Sequence, residues 1–224
     1  MQESVLIVGS GTGLSASLAR LCKSKGMKVV LAARNTVKLK QLKKEISAVT
    51  IKCDATNIKS VANLFEKADK IIGTPNLVIY NPSKSLGGSI ADLDPKKAYE
   101  AINVTCYGGF LVAQQAAKRM LKKKRGSIFF TGATASVKGF SNSSVFAMGK
   151  FGLRGLAQSL ARELHPQNIH IGHFIIDGGI GRENYGSYKT IHPDSIAKTY
   201  LQFHYQDKSA WSWETQLRTS VEVF

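Results

Sequence analysis

Six short runs rich in valine and isoleucine alternate with amphipathic stretches along most of this chain. The runs are Ser4–Gly9, Lys28–Ala33, Ala48–Cys53, Asn76–Tyr80, Ser127–Thr131 and Ile169–Ile176. They lack the strict apolar–polar alternation of a half-exposed sheet, which indicates strands that are buried on both sides. Strands that alternate with helices pair in parallel through right-handed crossovers. The pattern therefore predicts an α/β fold, a doubly wound parallel sheet with helices on both faces.

The intervening stretches carry apolar residues at helical spacing. Three apolar faces are evident: Leu14, Leu18 and Leu21; Val61, Leu64, Phe65 and Ala68; Phe151, Leu153, Leu156, Leu160 and Leu164. No repeat, low-complexity segment or linker divides the chain, so residues 1–224 are expected to form one domain. The segment 195–224 is expected to be a helix to about residue 206, followed by an irregular or strand-like tail.

Composition excludes several classes of protein. Hydrophobic residues make up 43% and charged residues 21% of the 224 residues, which is typical of a folded globular chain. No apolar run approaches the ~18–20 residues of a membrane span, and the N-terminus lacks the basic segment of a signal peptide. Neither a metal site nor a disulfide framework is predicted from the spacing of Cys22, Cys53, Cys106, His165, His170, His173 and His204. We expect a soluble, cytoplasmic protein that contacts no membrane.

The charge of the chain is strongly positive. Lys and Arg number 31 against 15 Asp and Glu, a formal net charge of +16. Such a field favours polyanions and phosphate-bearing ligands. Much of the excess lies in Lys38–Lys44 and Lys118–Arg125, which resemble solvated helix faces or ends. Neither run has the aromatic residues on which single-stranded nucleic acid stacks, so a lysine-rich surface is expected, with nucleic-acid binding as the lesser alternative.

The first strand runs directly into a glycine-rich turn that precedes a helix. In such a turn, backbone amides approach a pyrophosphate at the positive end of the helix. Three glycines alone can serve any tight turn, but their place after the first strand of a βαβ series indicates a dinucleotide site. The residues expected to bind the cofactor here are Gly9, Ser10, Gly11, Thr12, Gly13 and Leu14.

The end of the second strand bears on the choice of cofactor. An acidic residue there would bind the adenosine ribose and select NAD. This chain has Ala33 followed by Arg34, whose guanidinium suits a 2′-phosphate. Arg34 as a merely exposed residue before a helix is the alternative. We expect NADP(H) to be favoured over NAD(H).

These motifs resemble those of the short-chain dehydrogenase/reductase family, and the resemblance covers nearly the whole chain. Residues 9–15 are similar to the family's cofactor loop, with Ser15 in place of its last glycine. Residues 53–56, Cys-Asp-Ala-Thr, resemble its adenine-contacting segment, and residues 80–83 keep only Asn81 of its Asn-Asn-Ala-Gly motif. The resemblance implies a single Rossmann-type domain. It also assigns to the cofactor site Arg34, Asp54, Ala55, Asn81, Pro82, Lys150, Gly178 and Ile180.

The resemblance is weakest at the proton-transfer centre. The family has Tyr-x-x-x-Lys on one helix and a serine about 13 residues before the tyrosine. The lysine lowers the pKa of the phenol, which then exchanges a proton with the substrate. The matching positions here are Phe146, Lys150 and Ala133, while Asn103 matches a helix asparagine that holds a water beside the lysine. The resemblance implies that Lys150 and Asn103 are the catalytic residues retained and that both hydroxyls are missing.

Several other side chains are candidates to replace the tyrosine. Tyr80 and Lys84 also spell Tyr-x-x-x-Lys, but the intervening proline prevents the helix that would align them. Tyr185, Tyr188 and His192 lie after the sixth strand, where family members bind substrate. Unperturbed alcohols, which are poorer proton donors than an activated phenol, are supplied by Thr131, Thr134, Ser136, Ser143 and Ser144.

Two classes of function stay open at this point. The first is an oxidoreductase that acts on a small carbonyl or alcohol, with the proton supplied by water, substrate or a loop side chain. The second is a catalytically weak or inactive NADP(H)-binding sensor or interaction protein. Ala133, Phe140 and Phe146 predict an apolar reaction pocket. The resemblance implies a homodimer or homotetramer formed through helices spanning residues 95–121 and 145–164.

Overall fold

A seven-stranded, wholly parallel sheet forms the centre of the computed structural model, which describes residues 2–181 and 190–221. Its strands are β1 (Ser4–Val8), β2 (Lys28–Ala33), β3 (Val49–Lys52), β4 (Leu77–Tyr80), β5 (Gly126–Thr131), β6 (Ile169–Asp177) and β9 (Glu214–Arg218). They lie in the order β3-β2-β1-β4-β5-β6-β9. Two short strands, β7 (Gly179–Ile180) and β8 (Thr190–Ile191), pair with each other beside the sheet.

Helices cover both faces of the sheet. They are α1 (Leu14–Ser24), α2 (Lys40–Ile46), α3 (Ile58–Ile72), α4 (Pro95–Ile102), α5 (Gly108–Lys123), α6 (Ser144–Leu164) and α7 (Pro193–His204). Apolar side chains of α1, α2 and α7 form the core on one face, and those of α3, α5 and α6 form the core on the other. The predicted doubly wound α/β fold is confirmed.

The central strands show why the apolar runs lack alternation. In β1, Val5 and Ile7 point into one core, whereas Leu6 and Val8 point into the other. None of the four is more than 2% exposed. A strand with helices on both sides must be apolar at every position, because each side chain enters one core or the other.

The sheet reverses its winding between β1 and β4, and this reversal creates the cleft. From β1 the chain moves outward to β2 and β3, then returns to β4 on the other side of β1. In open α/β sheets, ligands bind at the carboxyl ends of the strands at this switch point. Gly9 and Pro82 follow the two strands here, and a Cβ on Gly9 would lie 2.6 Å from Pro82. With a φ of +81° as well, position 9 requires glycine.

One detail differs from the sequence-based expectations, and a second makes one of them more specific. The prediction that Phe151 belongs to the buried face of its helix is wrong, because Phe151 is 44% exposed and the sheet is contacted by Leu153, Ala157, Ala161 and Leu164 instead. The tail, expected to be irregular or strand-like, forms β9, which pairs with β6 from His173 to Asp177. Within the described ranges no helix has the length and apolar character to cross a membrane.

Candidate functional site

Two adjoining cavities of about 370 and 390 Å³ lie along the carboxyl ends of the central strands. Gly9, Asn81 and Ser83 line both of them, so the two form one continuous cleft. The first cavity extends beside β2 and β3, and the second extends beside β5 and α6. The cleft therefore extends along the sheet from β3 to α6, and different residues line its two ends.

The first cavity ends in two cations. Arg34, Asn35 and Lys38 line it, and both Arg34 and Lys38 are exposed. Neither cation is in an ion pair within the described ranges 2–181 and 190–221. The sequence interpretation missed Lys38, which was counted with the lysine-rich surface. Lys38 lies four residues after Arg34, in the short turn before α2, and this turn brings both side chains to the same cavity.

The floor of this cavity contains the predicted adenine-contacting segment. Asp54 and Ala55 line it together with Ser10, Pro82 and Val104. The Asp54 Oδ1 atom accepts hydrogen bonds from the backbone N–H and the hydroxyl of the residue two positions on, at 3.0 and 2.8 Å. This local turn fixes the carboxylate at the cavity edge.

The glycine loop forms an open cradle between the two cavities. A Cβ built on Gly11 or Gly13 meets no atom within 4 Å, and both glycines line the second cavity. Helix α1 starts at Leu14, which also lines the cavity, and has no side-chain cap and no acidic residue in its first turn. Its first N–H groups and its positive dipole end therefore suit a phosphate. Thr12, by contrast, is exposed and lines neither cavity.

Ser15 ties this loop to the end of β4. Its hydroxyl donates to the carbonyl of Gly9 at 3.2 Å and accepts from the side-chain amide of Asn81 at 2.7 Å. A glycine at position 15 would make neither bond. The serine that departs from the family pattern thus joins the two loops that line both cavities.

Lys150 is the most deeply buried cation of the cleft. It is 2% exposed, and its Nζ donates to the Thr131 carbonyl at 2.7 Å. Burial lowers the pKa of this ammonium group to about 8. The other two N–H donors of Lys150 have no partner among the described residues, although the side chain lines the second cavity. They are available to a ligand with hydroxyl groups.

Close helix packing positions Lys150. Gly149 and Gly152 flank it on α6, and a Cβ on either would lie 2.9 Å from Thr105 or Cys106. Those two residues belong to a π-helical turn, residues 103–107, between α4 and α5. Asn103 opens this turn, and the Asn103 carbonyl accepts from a backbone N–H five residues on. The structure thus brings Asn103 to the segment beside α6 but not to the lining of either cavity.

Comparison with known proteins agrees with this geometry. Residues 3–180 match the family model described as short chain dehydrogenase. The chain belongs to the short-chain dehydrogenase family. It is 28% identical over 169 residues to the 3-oxoacyl-[acyl-carrier-protein] reductase MabA of Mycobacterium bovis, a match that covers 75% of this chain and 66% of that reductase.

Solved structures of the family have the same fold. A short-chain dehydrogenase from Rhodopseudomonas palustris superposes with a TM-score of 0.87 at 33% identity, over 96% of this chain and 98% of that one. A metagenomic short-chain oxidoreductase in complex with NADP superposes with a TM-score of 0.86 at 23% identity, over 98% of both chains. The chain is thus a member of a family of oxidoreductases.

The part of the second cavity around Lys150, here called the reaction end, carries small and apolar side chains as well as Thr131. Ala133 and Phe146 line the second cavity, and the Phe146 ring centroid lies 5.8 Å from the Lys150 Nζ. Gly178 and Ile180 close the same cavity after β6. The expectation that Phe140 contributes is wrong, because it lies outside the lining and is 47% exposed.

The hydroxyls near this cavity are engaged elsewhere. Thr131 shares a hydrogen bond with Tyr200 at 2.8 Å, Thr134 donates to Asp177 at 2.5 Å, and Ser136 lies 3.5 Å from the ring of His173. Burial raises the pKa of the Tyr80 phenol, which donates to the Val104 carbonyl. Ser143 and Ser144 are the remaining hydroxyls that the sequence offered as proton donors. Neither of them lines the second cavity.

The remaining candidates lie toward the C-terminus. His192 caps α7 by accepting a hydrogen bond from the Asp194 N–H at 3.2 Å, so it acts in local structure. Tyr185 and Tyr188 lie outside the described residues. The buried histidines serve the fold: His173 bonds Glu214 at 2.9 Å, and His170 stacks on Trp211. No group of potential metal ligands occurs among the described residues.

Proposed function

We propose that this chain is an NADP(H)-dependent oxidoreductase that acts on a small carbonyl or alcohol with an atypical reaction centre. One observation carries the proposal. A single cleft runs from Arg34 and Lys38, which form no ion pair with any described residue, past a glycine cradle to the buried Lys150. Its length, its charge and the open space at Gly11 and Gly13 fit a dinucleotide with an additional phosphate.

Each part of the cleft has a role toward this cofactor. Arg34 and Lys38 hold the 2′-phosphate, and the start of α1 binds the pyrophosphate. Asp54 fixes the adenine end. Lys150, whose other two N–H donors have no partner among the described residues, would hold the nicotinamide ribose, as the family resemblance implies. The NADP complex of a structural neighbour and the reductase activity of a curated relative support this assignment.

The reaction centre differs from the usual one in proton supply. When bound, the reduced nicotinamide supplies a hydride to the carbonyl carbon, and the carbonyl oxygen then needs one proton. Ala133 and Phe146 have no proton to give. Water, the substrate or a loop side chain would then provide it, and turnover is expected to be slow. Lys150 would still bind and orient the cofactor. Asn103, in the turn that packs on α6, remains a proposed catalytic residue.

The apolar reaction end also favours a second candidate function. With Phe146 and Ala133 in place, the chain is a catalytically weak or inactive NADP(H)-binding protein that acts as a sensor or interaction partner. Turnover of a panel of carbonyl compounds with NADPH, measured beside NADPH binding, separates the two. Binding without turnover on any compound supports the second candidate, whereas measurable turnover supports the first.

Cofactor choice tests the cationic end of the cleft. NADPH is expected to bind native protein more tightly than NADH, and Arg34→Ala and Lys38→Ala are each expected to weaken NADPH selectively. A lost hydrogen bond to a charged phosphate costs roughly 1.5–3 kcal/mol, or about a 10- to 150-fold rise in the NADPH dissociation constant. Calorimetric titration at constant salt measures the dissociation constants of both cofactors for the native protein and for each variant.

Lys40→Ala serves as the matched control, since Lys40 is an exposed lysine close in sequence that does not line the cavity. This variant is expected to bind both cofactors as native protein does. Equal affinity of the native protein for NADPH and NADH would show that Arg34 and Lys38 do not form a 2′-phosphate site.

We also propose that the chain assembles through its α4–α6 surface. Tyr99, Tyr107, Phe110, Met148 and Phe151 are each 39–69% exposed there. The rings of Tyr107 and Phe110 stack at 6.0 Å, so part of this apolar surface is already ordered. Contiguous exposed apolar surface on a folded protein marks interaction sites, and the family resemblance implies a second copy as the partner.

Charge placed on this surface is expected to dissociate the assembly. Phe110→Asp combined with Phe151→Asp should convert a dimer or tetramer into monomers in sedimentation-velocity analysis, because each copy would bury unpaired carboxylates. Val37→Asp, at an exposed valine on the other face of the sheet, is the control and should leave the assembly intact. A native protein that sediments as a monomer at all concentrations would overturn this proposal.

A further inference from the structure

A dense group of cations lies at the end of the molecule opposite to the cleft. In a doubly wound sheet, helices run antiparallel to the strands, so helix C-termini gather at the amino ends of the strands. Arg119 on α5 bonds Asp69 on α3 at 2.6 Å, which sets the last turns of these two helices side by side. We define the basic end patch as the exposed residues Lys67, Lys70, Lys118, Lys122, Lys123, Lys124 and Arg125.

The charges of this patch are not neutralised by neighbouring carboxylates. None of its seven cations forms an ion pair within the described ranges. Of the two acidic residues in the last turns of α3, Asp69 is already bonded to Arg119, which leaves Glu66. Lysines in a last turn complement the helix dipole, but this accounts only for Lys70, Lys122 and Lys123. The others add charge beyond what the helices need.

Apolar side chains lie among these lysines. A groove of about 380 Å³ beside β3 is lined by Lys67 and Lys70 of this patch together with Val49, Ile71 and Lys52, the last residue of β3. Ile71 is 40% exposed, between the cations rather than in the core. An apolar residue surrounded by flexible ammonium groups matches a surface with anionic headgroups above hydrocarbon.

We propose that the basic end patch docks the protein on the surface of an anionic phospholipid bilayer. Lysines near such a surface are attracted to its headgroups, and several together give peripheral binding without a membrane-spanning segment. Nucleic acid fits less well for two reasons. The patch has no aromatic residue on which bases could stack, and a phosphate backbone would give the exposed Ile71 side chain no apolar partner. The inference is independent of the proposed function and revises the expectation that the protein contacts no membrane. The cleft then faces away from the bilayer.

Vesicle sedimentation with the full chain tests this docking. Native protein should sediment with vesicles of phosphatidylcholine and phosphatidylserine, stay in solution with phosphatidylcholine alone, and dissociate as salt is raised. The triple variant Lys122→Gln, Lys123→Gln, Lys124→Gln should lose at least about tenfold in vesicle affinity, because each lysine near the surface contributes. Ile71→Ser should lower the affinity while all cations remain.

A matched control separates the patch from net charge. The triple variant Lys59→Gln, Lys96→Gln, Lys97→Gln removes the same charge from exposed lysines at the first turns of α3 and α4, at the opposite end. It should bind anionic vesicles as native protein does, and thermal unfolding should show all variants folded. An equal loss in both triple variants would overturn the proposal. So would absent vesicle binding, or tighter patch-dependent binding of duplex DNA or RNA than of vesicles.

Discussion

Replacing Gly13 with valine is expected to abolish cofactor binding while the protein stays folded. A Cβ at this position meets no protein atom within 4 Å, so the substitution adds no clash within the chain. The branched side chain would instead fill the cradle at the start of α1, where the pyrophosphate has to approach the backbone. Loss of two or more charge-assisted hydrogen bonds, at ~1.5–3 kcal/mol each, raises the NADPH dissociation constant at least about a hundredfold.

Two other glycines provide controls for this measurement. Gly139→Val also places a side chain in open space but lines neither cavity, so calorimetry should show native NADPH affinity. Gly9→Ala should instead lower the thermal unfolding midpoint, because its Cβ would lie 2.6 Å from Pro82 at a positive φ. Normal NADPH binding by folded Gly13→Val would show that the phosphate site lies elsewhere.

Much of the fold follows from local pattern. The valine- and isoleucine-rich runs are apolar at every position because both faces of the sheet are covered, and this distinguishes them from half-exposed strands. The last strand was harder to predict. Glu-Thr-Gln-Leu-Arg, residues 214–218, is polar because it lies at the sheet edge and carries Glu214, which pairs with Arg154 at 2.7 and 2.9 Å. Only tertiary contacts identify such a segment as a strand.

In the candidate site, too, some features follow from local sequence and others depend on tertiary contacts. The glycine loop and Arg34 could be predicted, because their function depends on positions adjacent in sequence. Lys38 could not be separated from the other lysines of its run, since its place beside Arg34 depends on the turn before α2. The packing of α6 on the turn at residues 103–107 likewise depends on long-range contacts at Gly149 and Gly152. Sequence alone does not reveal such contacts.

Restoring both missing hydroxyls is expected to raise turnover strongly. Phe146 and Ala133 line the reaction end of the cleft beside Lys150, at the positions where the family resemblance implies a phenol and a serine hydroxyl. In Phe146→Tyr with Ala133→Ser, the ammonium group of Lys150 would stabilise the phenolate and so lower the pKa of the new phenol. General acid–base catalysis contributes about 10²–10⁴ in rate. The proposed cofactor contacts do not involve either side chain, so NADPH affinity should stay near the native value.

Variants at the same site separate proton transfer from cofactor binding. Phe146→Tyr alone should recover part of the rate, and Ala133→Ser alone should recover little, because the serine polarises a carbonyl that still lacks its proton donor. Lys150→Ala should weaken NADPH binding in both the native and the restored background. Brisk native turnover that survives Lys150→Ala would direct attention to Tyr185, Tyr188 or His192.

The most direct test of this account is the turnover number of native and doubly restored protein on the same carbonyl panel at saturating NADPH. The account predicts weak or undetectable turnover by the native chain and an increase of about 10²–10⁴ in the double variant, with the NADPH dissociation constant nearly unchanged. A double variant that binds NADPH normally yet gains no turnover on any compound would contradict it. In that case the cleft would hold the cofactor without presenting a carbonyl to it.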